Sequence, residues 1–200
     1  MTKIDFNEII KLLSDKSFQD PRTGNLFFPA YIYTYPPAEE YEMREKIEQA
    51  VKNLERPSNF LNTLSINIYH ELIDFLKSKT FMRRSLFDQM LEKEKNEPKE
   101  AYNWVESQIP NFIKHFEEKI EKHFEDADKS KAYLILYGFG SIFPYLRASH
   151  LIKQTERLIK DFKVIVFFPG EYEDSYYSLF KILNDENTYR ANHLNTLLSK

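Results

Sequence analysis

The sequence predicts an α/β fold: a mostly parallel sheet of about four strands flanked by helices, with a helical insertion in the middle of the chain. Three observations carry this expectation. Runs rich in β-branched and aromatic residues, at 26–37, 61–69, 131–138 and 163–170, are separated by segments with apolar residues three and four apart. Two of these runs, KAYLILYG and KVIVFFPG, are continuously apolar, as in strands buried on both faces of a parallel sheet. Residues 81–129 contain no such run and mix charges of both signs.

The elements follow in order. Ile4, Ile9, Ile10, Leu12 and Leu13 give the first fifteen residues an amphipathic helix, and DPRTGN after it reads as a loop. LFFPAYIYTYPP is a strand stopped by Pro36 and Pro37. AEEYEMREKIEQAVKNL is a helix entered through proline, with carboxylates at its positive end and Met43, Ile47, Val51 and Leu54 inward. Its charged run EEYEMREKIE reads as a solvated face. LNTLSINIY (61–69) is the second strand and HELIDFLKSK (70–79) the next helix.

In the middle, SLFDQMLEKEKNE is helical, and IPNFIKHFEEKIEKHFEDADK carries the stripe Ile109, Phe112, Ile113, Phe116, Ile120 and Phe124 at a helical period. Pro110 either sits in the first turn of that helix or kinks it away from AYNWVES. After the strand KAYLILYG, SIFPYLRASHLIKQTERLI is a helix with Leu146, Leu151, Ile152, Leu158 and Ile159 inward. KVIVFFPG is a buried strand ended by its Pro-Gly, YYSLFKILND (176–185) is a helix, and the tail TYRANHLNTLLSK holds one more. The strand-helix-strand order implies a right-handed parallel crossover. The expected organisation is one domain over 1–200: an N-terminal helix (1–20), a first β-α-β-α half (26–80), the insertion (81–129) and a second β-α-β-α half (131–200).

Composition narrows the function classes. The net charge is −3 with cations and anions interspersed, so strong binding to DNA by this chain alone is not expected. With no cysteine, disulfides, thiolate metal sites and a cysteine nucleophile are excluded. Asp5 and Glu8 interrupt the apolar residues of the N-terminus, and no segment has the roughly 20 apolar residues of a membrane span, so a cytoplasmic protein without membrane contact is expected. Aromatic residues make up 16% of the chain, a supply of rings that suits protein interfaces.

YGFGSIFPYLRASHLI, at the end of the third strand, is the segment most suggestive of a ligand site. A strand-loop-helix junction can aim backbone N–H groups at a phosphate. The P-loop pattern needs a lysine and a hydroxyl at the loop's end, and Gly138 to Pro144 has neither a lysine nor a hydroxyl beyond Ser141. The dinucleotide pattern needs a third glycine where Phe143 stands and an acidic residue where Phe168, Pro169 and Gly170 stand. The geometric alternative is a tight corner: Gly138 and Gly140 turn the chain, Ser141 caps the next helix, and Pro144 sits in its first turn. Both strand ends, GFGS and FFPGEY, should lie on one sheet edge, where Ser141, Arg147, His150, Glu171 and Tyr172 could share a rim. That rim has no paired carboxylates, so no catalytic set is expected there. The histidines show no metal-binding spacing, His115 and His123 are expected among solvated charges, and neither a metal nor another cofactor is expected.

Four motifs fall in a fixed order: G-x-G-S-x-F-P-x-L-R-x-S-H, then F-x-P-G-x-Y, then S-L-F and Y-R-A. From about Ala132 to Leu194 they resemble the BrxB family of bacteriophage exclusion (BREX) loci. Where that family has a second tyrosine before the arginine and an aromatic after it, this chain has Thr188 and Asn192. The resemblance implies a component of an antiviral defence system that also contains an ATPase, a methyltransferase and a phosphatase-like protein. It picks out Gly138, Gly140, Ser141, Phe143, Pro144, Arg147, Ser149, Pro169, Gly170, Tyr172 and Arg190 as an interaction or ligand rim. The expected role is a non-catalytic adaptor that binds other BREX proteins. The competing expectation is a nucleotide- or nucleic-acid-binding protein that holds a phosphate with GFGS and Arg147.

Overall fold

Strands that are apolar on both faces need helices on both faces, and the computed structural model has that layering. It describes residues 5–19, 29–56, 58–158, 162–173, 176–179, 183–185 and 191–198. The elements in chain order are α1 (Phe6–Ser14), α2 (Lys16–Gln19), β1 (Ala30–Tyr35), α3 (Glu40–Leu54), β2 (Asn62–Asn67), α4 (Ile68–Ser78), β3 (Thr80–Phe81) and β4 (Arg84–Ser85). They continue with α5 (Leu86–Asn96), α6 (Pro98–Phe124), β5 (Ala132–Tyr137), α7 (Phe139–Ile142), α8 (Ala148–Gln154) and β6 (Lys163–Glu173). The chain then forms β7 (Tyr176–Leu179), β8 (Leu183–Asp185), β9 (Asn192–His193) and α9 (Leu194–Leu198). The main sheet runs β2-β5-β6-β1-β9 with every neighbouring pair parallel. The α/β expectation is met.

Alternation along the strands sorts the core into two clusters. Ala30, Ile32, Leu64, Ile66, Leu134, Leu136, Val164 and Val166 face α4, α6, α7 and α8, where Phe112, Phe116 and Ile120 of the predicted stripe are buried. Tyr31, Tyr33, Tyr35, Tyr133, Tyr137 and Phe167 face α1 and α3, against Ile9, Leu13, Met43 and Ile47. Tyrosine under a helix needs somewhere to place its hydroxyl. Tyr133 donates to the carbonyl of Leu13 (2.9 Å), and the Tyr31 hydroxyl accepts from the buried Lys163 Nζ (3.2 Å), whose ammonium lies 4.2 Å from the centre of the Phe18 ring.

Several sequence expectations are corrected. In the segment 176–185, expected as a helix, residues 176–179 and 183–185 are instead the antiparallel strands β7 and β8 on the extension of β6. Its aromatic and apolar residues suit either state, and the free edge of β6 decides between them. Pro169 and Gly170 do not end their strand; Pro169 is the last residue paired with β1, opposite Tyr35, and Gly170 is the first paired with β7. A Cβ on Gly170 would lie 2.2 Å from the carbonyl oxygen of Ser178, so the strand changes partners where only glycine fits.

The helix expected over 141–159 is broken into α7 and α8 around a cis Phe143–Pro144 bond. The residue before a proline is disfavoured in the helical region, and Phe143 is extended (φ −60°, ψ 139°). Conversely, α6 starts at Pro98 and runs through Pro110, which lies on the exposed side where the carbonyl it leaves without a donor can meet water. α4 begins at Ile68, two residues before the expected start. The middle does hold strands, since β3 and β4 form a ribbon around Met82 and Arg83, both with positive φ (52° and 64°), a turn without the usual glycine signal. His115 is half-buried, not solvated, with Nε2 3.2 Å from a carboxylate oxygen of the buried Glu71, which also accepts from Lys119 (2.5 Å). The loop DPRTGN and the residues Ile4, Ile159, Thr188 and Arg190 lie outside the described residues.

Candidate functional site

Parallel strands bring their carboxyl ends to one edge, and open α/β folds place ligands there. Here that edge carries Asn67, Tyr137 and Tyr35, with β6 running on past it. Asn67 caps α4 by accepting from the His70 N–H (3.2 Å). Gly138 stands beside it with φ +85°, and a Cβ there would lie 2.4 Å from Asn67 Oδ1. The space a side chain would need at position 138 is therefore filled by the Asn67 amide.

Ser141 is not a helix cap. It lies inside α7, whose cap position is Gly138, and its hydroxyl accepts from Arg44 Nη2 of α3 (2.7 Å). Arg44 Nε donates to Glu40 (2.9 Å), and the Tyr35 hydroxyl donates to the other oxygen of that carboxylate (2.5 Å). Burial and the neighbouring Glu40 charge push the Tyr35 phenol far above its ordinary value, so it stays a donor. Arg44 and Glu40 are only 18% and 15% exposed, which corrects the solvated reading of EEYEMREKIE at these positions. Their four-residue spacing signalled an ion pair within the helix, but nothing local signalled the contact with Ser141.

The remaining candidates fall in two places. Pro144 is exposed after the short α7 and Phe143 is half-buried against the core; Arg147 is exposed at the cap position of α8, and Ser149 is half-buried two residues on. Gly140 lies within α7. Pro169, Gly170 and Tyr172 sit on the β6–β7 side, where the Tyr172 ring lies 4.3 Å from His193 and 4.7 Å from Tyr177. His193, which the sequence did not single out, has Nε2 3.2 Å from the Thr34 hydroxyl and Nδ1 3.1 Å from that of Thr196. Burial pushes its imidazole down to about 4. Beside it, the Asn195 side chain pairs with both the N–H and the carbonyl of Thr34 (2.9 Å each), as a neighbouring strand would. Among the described residues no three His, Asp or Glu side chains cluster closely enough to hold a metal ion.

The order of these elements, Asn67 to the Gly138 corner to the β6 hairpin and Leu194, lies within a single family match. Residues 64–194 fit the model of the family described as BREX protein BrxB. The chain belongs to the BrxB family. A BrxB from Bacillus cereus (strain H3081.97) is 22% identical over 187 residues, covering 92% of this chain and 93% of that protein. A BrxB from Escherichia coli O9:H4 (strain HS) is 25% identical over 163 residues, covering 80% and 75%. No solved structure matches the chain. BrxB membership makes it a component of a BREX antiviral defence system, and no helix among its described residues is long and apolar enough to cross a membrane.

Proposed function

We propose that this BrxB protein is an adaptor that works by binding other BREX proteins, with no chemistry of its own. The observation that supports this reading best is the incompletely covered surface of the insertion. None of the eleven residues of α5 is fully buried, although Leu86, Phe87, Met90 and Leu91 recur at helical spacing. Leu91 is 45% exposed, and the β3–β4 ribbon beside α5 holds out Phe81 and Met82 at 57% and 81%. Gln89 Nε2 of α5 donates to the carbonyl of Phe81 (3.0 Å), which fastens the ribbon to the side of α5 away from Leu91. Exposed large apolar side chains collected on one small insertion mark interaction sites.

The test is affinity purification of the tagged protein from cells carrying its whole BREX locus. The ATPase, the methyltransferase or the phosphatase-like protein should co-elute with it. A protein that elutes alone and shows turnover by itself would overturn the adaptor reading.

A further inference from the structure

Next to the exposed edge of α5 lies a pocket of about 530 Å³ between α4, α5 and α6. Buried Leu72, Leu76 and Val105 line its inner side, and Phe87 and Tyr145 supply aromatic walls. Tyr145 directly follows Pro144 in the family signature, and its ring stacks on Tyr102 of α6 at 5.5 Å and 26°. The break in the chain at Phe143–Pro144, which ends α7, thus delivers a ring to this pocket. The signature is tied to the insertion as well as to the sheet edge.

The charges around the pocket are not balanced against one another. Lys77 lies over the Phe87 ring, 5.1 Å from its centre. Asp74 and Glu94 also line the pocket, are exposed, and have no ion-pair partner among the described residues. Two carboxylates and three aromatic rings, Tyr69, Phe87 and Tyr145, therefore meet around an apolar interior. Carboxylates and ring faces both attract cations, and the interior takes bulky apolar groups.

We propose that this pocket seats a segment of a BREX partner protein in which a bulky apolar residue is followed or preceded, within one helical turn, by an arginine or lysine. The apolar residue enters between Phe87 and Tyr145, and the cation meets Asp74 and Glu94. A pocket of this volume could by itself hold a small molecule. Leu91, which lines the pocket and is 45% exposed, carries its apolar lining out onto the surface of α5, where a protein segment can continue past the pocket. The proposal rests on the adaptor reading and adds where the partner binds and by what chemistry.

The experiment places a photo-crosslinking residue at Leu91 of the full chain, co-expressed with the other proteins of its locus, and compares wild type with Asp74→Lys/Glu94→Lys and with Leu91→Asp. All three positions are exposed, so melting temperatures should match wild type. A crosslink to one partner, at a segment pairing a bulky apolar residue with Arg or Lys, is expected. Recovery of that partner should fall at least about tenfold in either variant. Undiminished recovery in both variants would overturn the pocket and leave the adaptor reading standing. Failure of any BREX protein to co-purify with wild type would overturn both. A crosslink to an acidic segment, or a bound small molecule seen by native mass spectrometry, would overturn the proposed partner chemistry.

Discussion

Arg44 of α3 donates to Ser141 of α7 over the carboxyl edge of the sheet, joining helices that cover its opposite faces. Met43 and Ile47 of α3 belong to the tyrosine-rich cluster on one face, and Phe139 and Ile142 of α7 to the cluster on the other. The hydrogen bond therefore couples the two helical layers across the sheet edge. Ser141→Ala should cost no more than about 1 kcal/mol, because its hydroxyl is exposed. Arg44→Ala should cost more, roughly 1–2 kcal/mol, because it also leaves the largely buried Glu40 without its cation. A double-mutant cycle by denaturant unfolding should show a coupling energy of about 0.5–1.5 kcal/mol. Additive effects would show that the two helices are energetically independent.

Gly138 carries two constraints, its left-handed backbone and its closeness to Asn67. Gly138→Ala should destabilise by more than about 2 kcal/mol, combining the backbone strain with the side-chain overlap. Asn67→Ala alone removes the α4 cap and should cost about 1 kcal/mol. The double variant should lose less than the sum, since removing the amide makes room for the new methyl group. Strict additivity in equilibrium unfolding would mean that only the backbone angle matters at this corner.

The parts of the fold that read directly from sequence are those where one local pattern permits one answer. β1, β5 and the first part of β6 are largely apolar on both faces, β2 alternates Leu64 and Ile66 with polar residues, and the Ile109 to Phe124 stripe of α6 has a single helical period. The misreadings arise where a distant partner decides. The segment 176–185 has residues suited to helix or strand, and pairing with the extended β6 makes residues 176–179 a strand, on which 183–185 pair in turn. Arg44 lay in a run of alternating charges, and its partner Ser141 is 97 residues away. Pro144 was legible as punctuation but was assigned to a first helical turn, when its effect on Phe143 was to end one helix and begin another. The signature residues Gly138 and Ser141 were found as a corner; Asn67, Arg44 and His193, which give that edge its geometry, carry no local signal of it.

His193 gives the protein an acid-sensitive point. Its neutral ring is held between the hydroxyls of Thr34 and Thr196 and against Tyr172, and burial lowers its pKa from 6.5 to about 4. As pH falls below 6.5 the unfolded chain takes up this proton first, while the native state resists until near 4. The contribution is therefore complete above the unfolded value and is lost progressively through that window. His193→Gln should lower stability at neutral pH by removing the ring contacts, yet flatten its decline between pH 6.5 and 4. Chemical unfolding at several pH values measures the two slopes, and equal slopes would show that this imidazole does not titrate differently in the two states.

The competing reading of the signature, a phosphate held by GFGS and Arg147, makes a different demand on the sheet edge. A phosphate cradle needs backbone N–H groups open to the ligand at the head of a helix. Here the helix after Gly138 is four residues long, the Asn67 amide packs against the glycine, and the Ser141 hydroxyl is engaged by Arg44. Adding ATP, GTP or short DNA at rising concentration should leave the melting temperature of the wild-type protein unchanged. A ligand that binds the native state would instead raise it by an amount that grows with concentration beyond Kd. A rise in wild type that disappears in Arg147→Ala would restore the phosphate reading. A rise of equal size in both proteins would place the ligand elsewhere on the molecule.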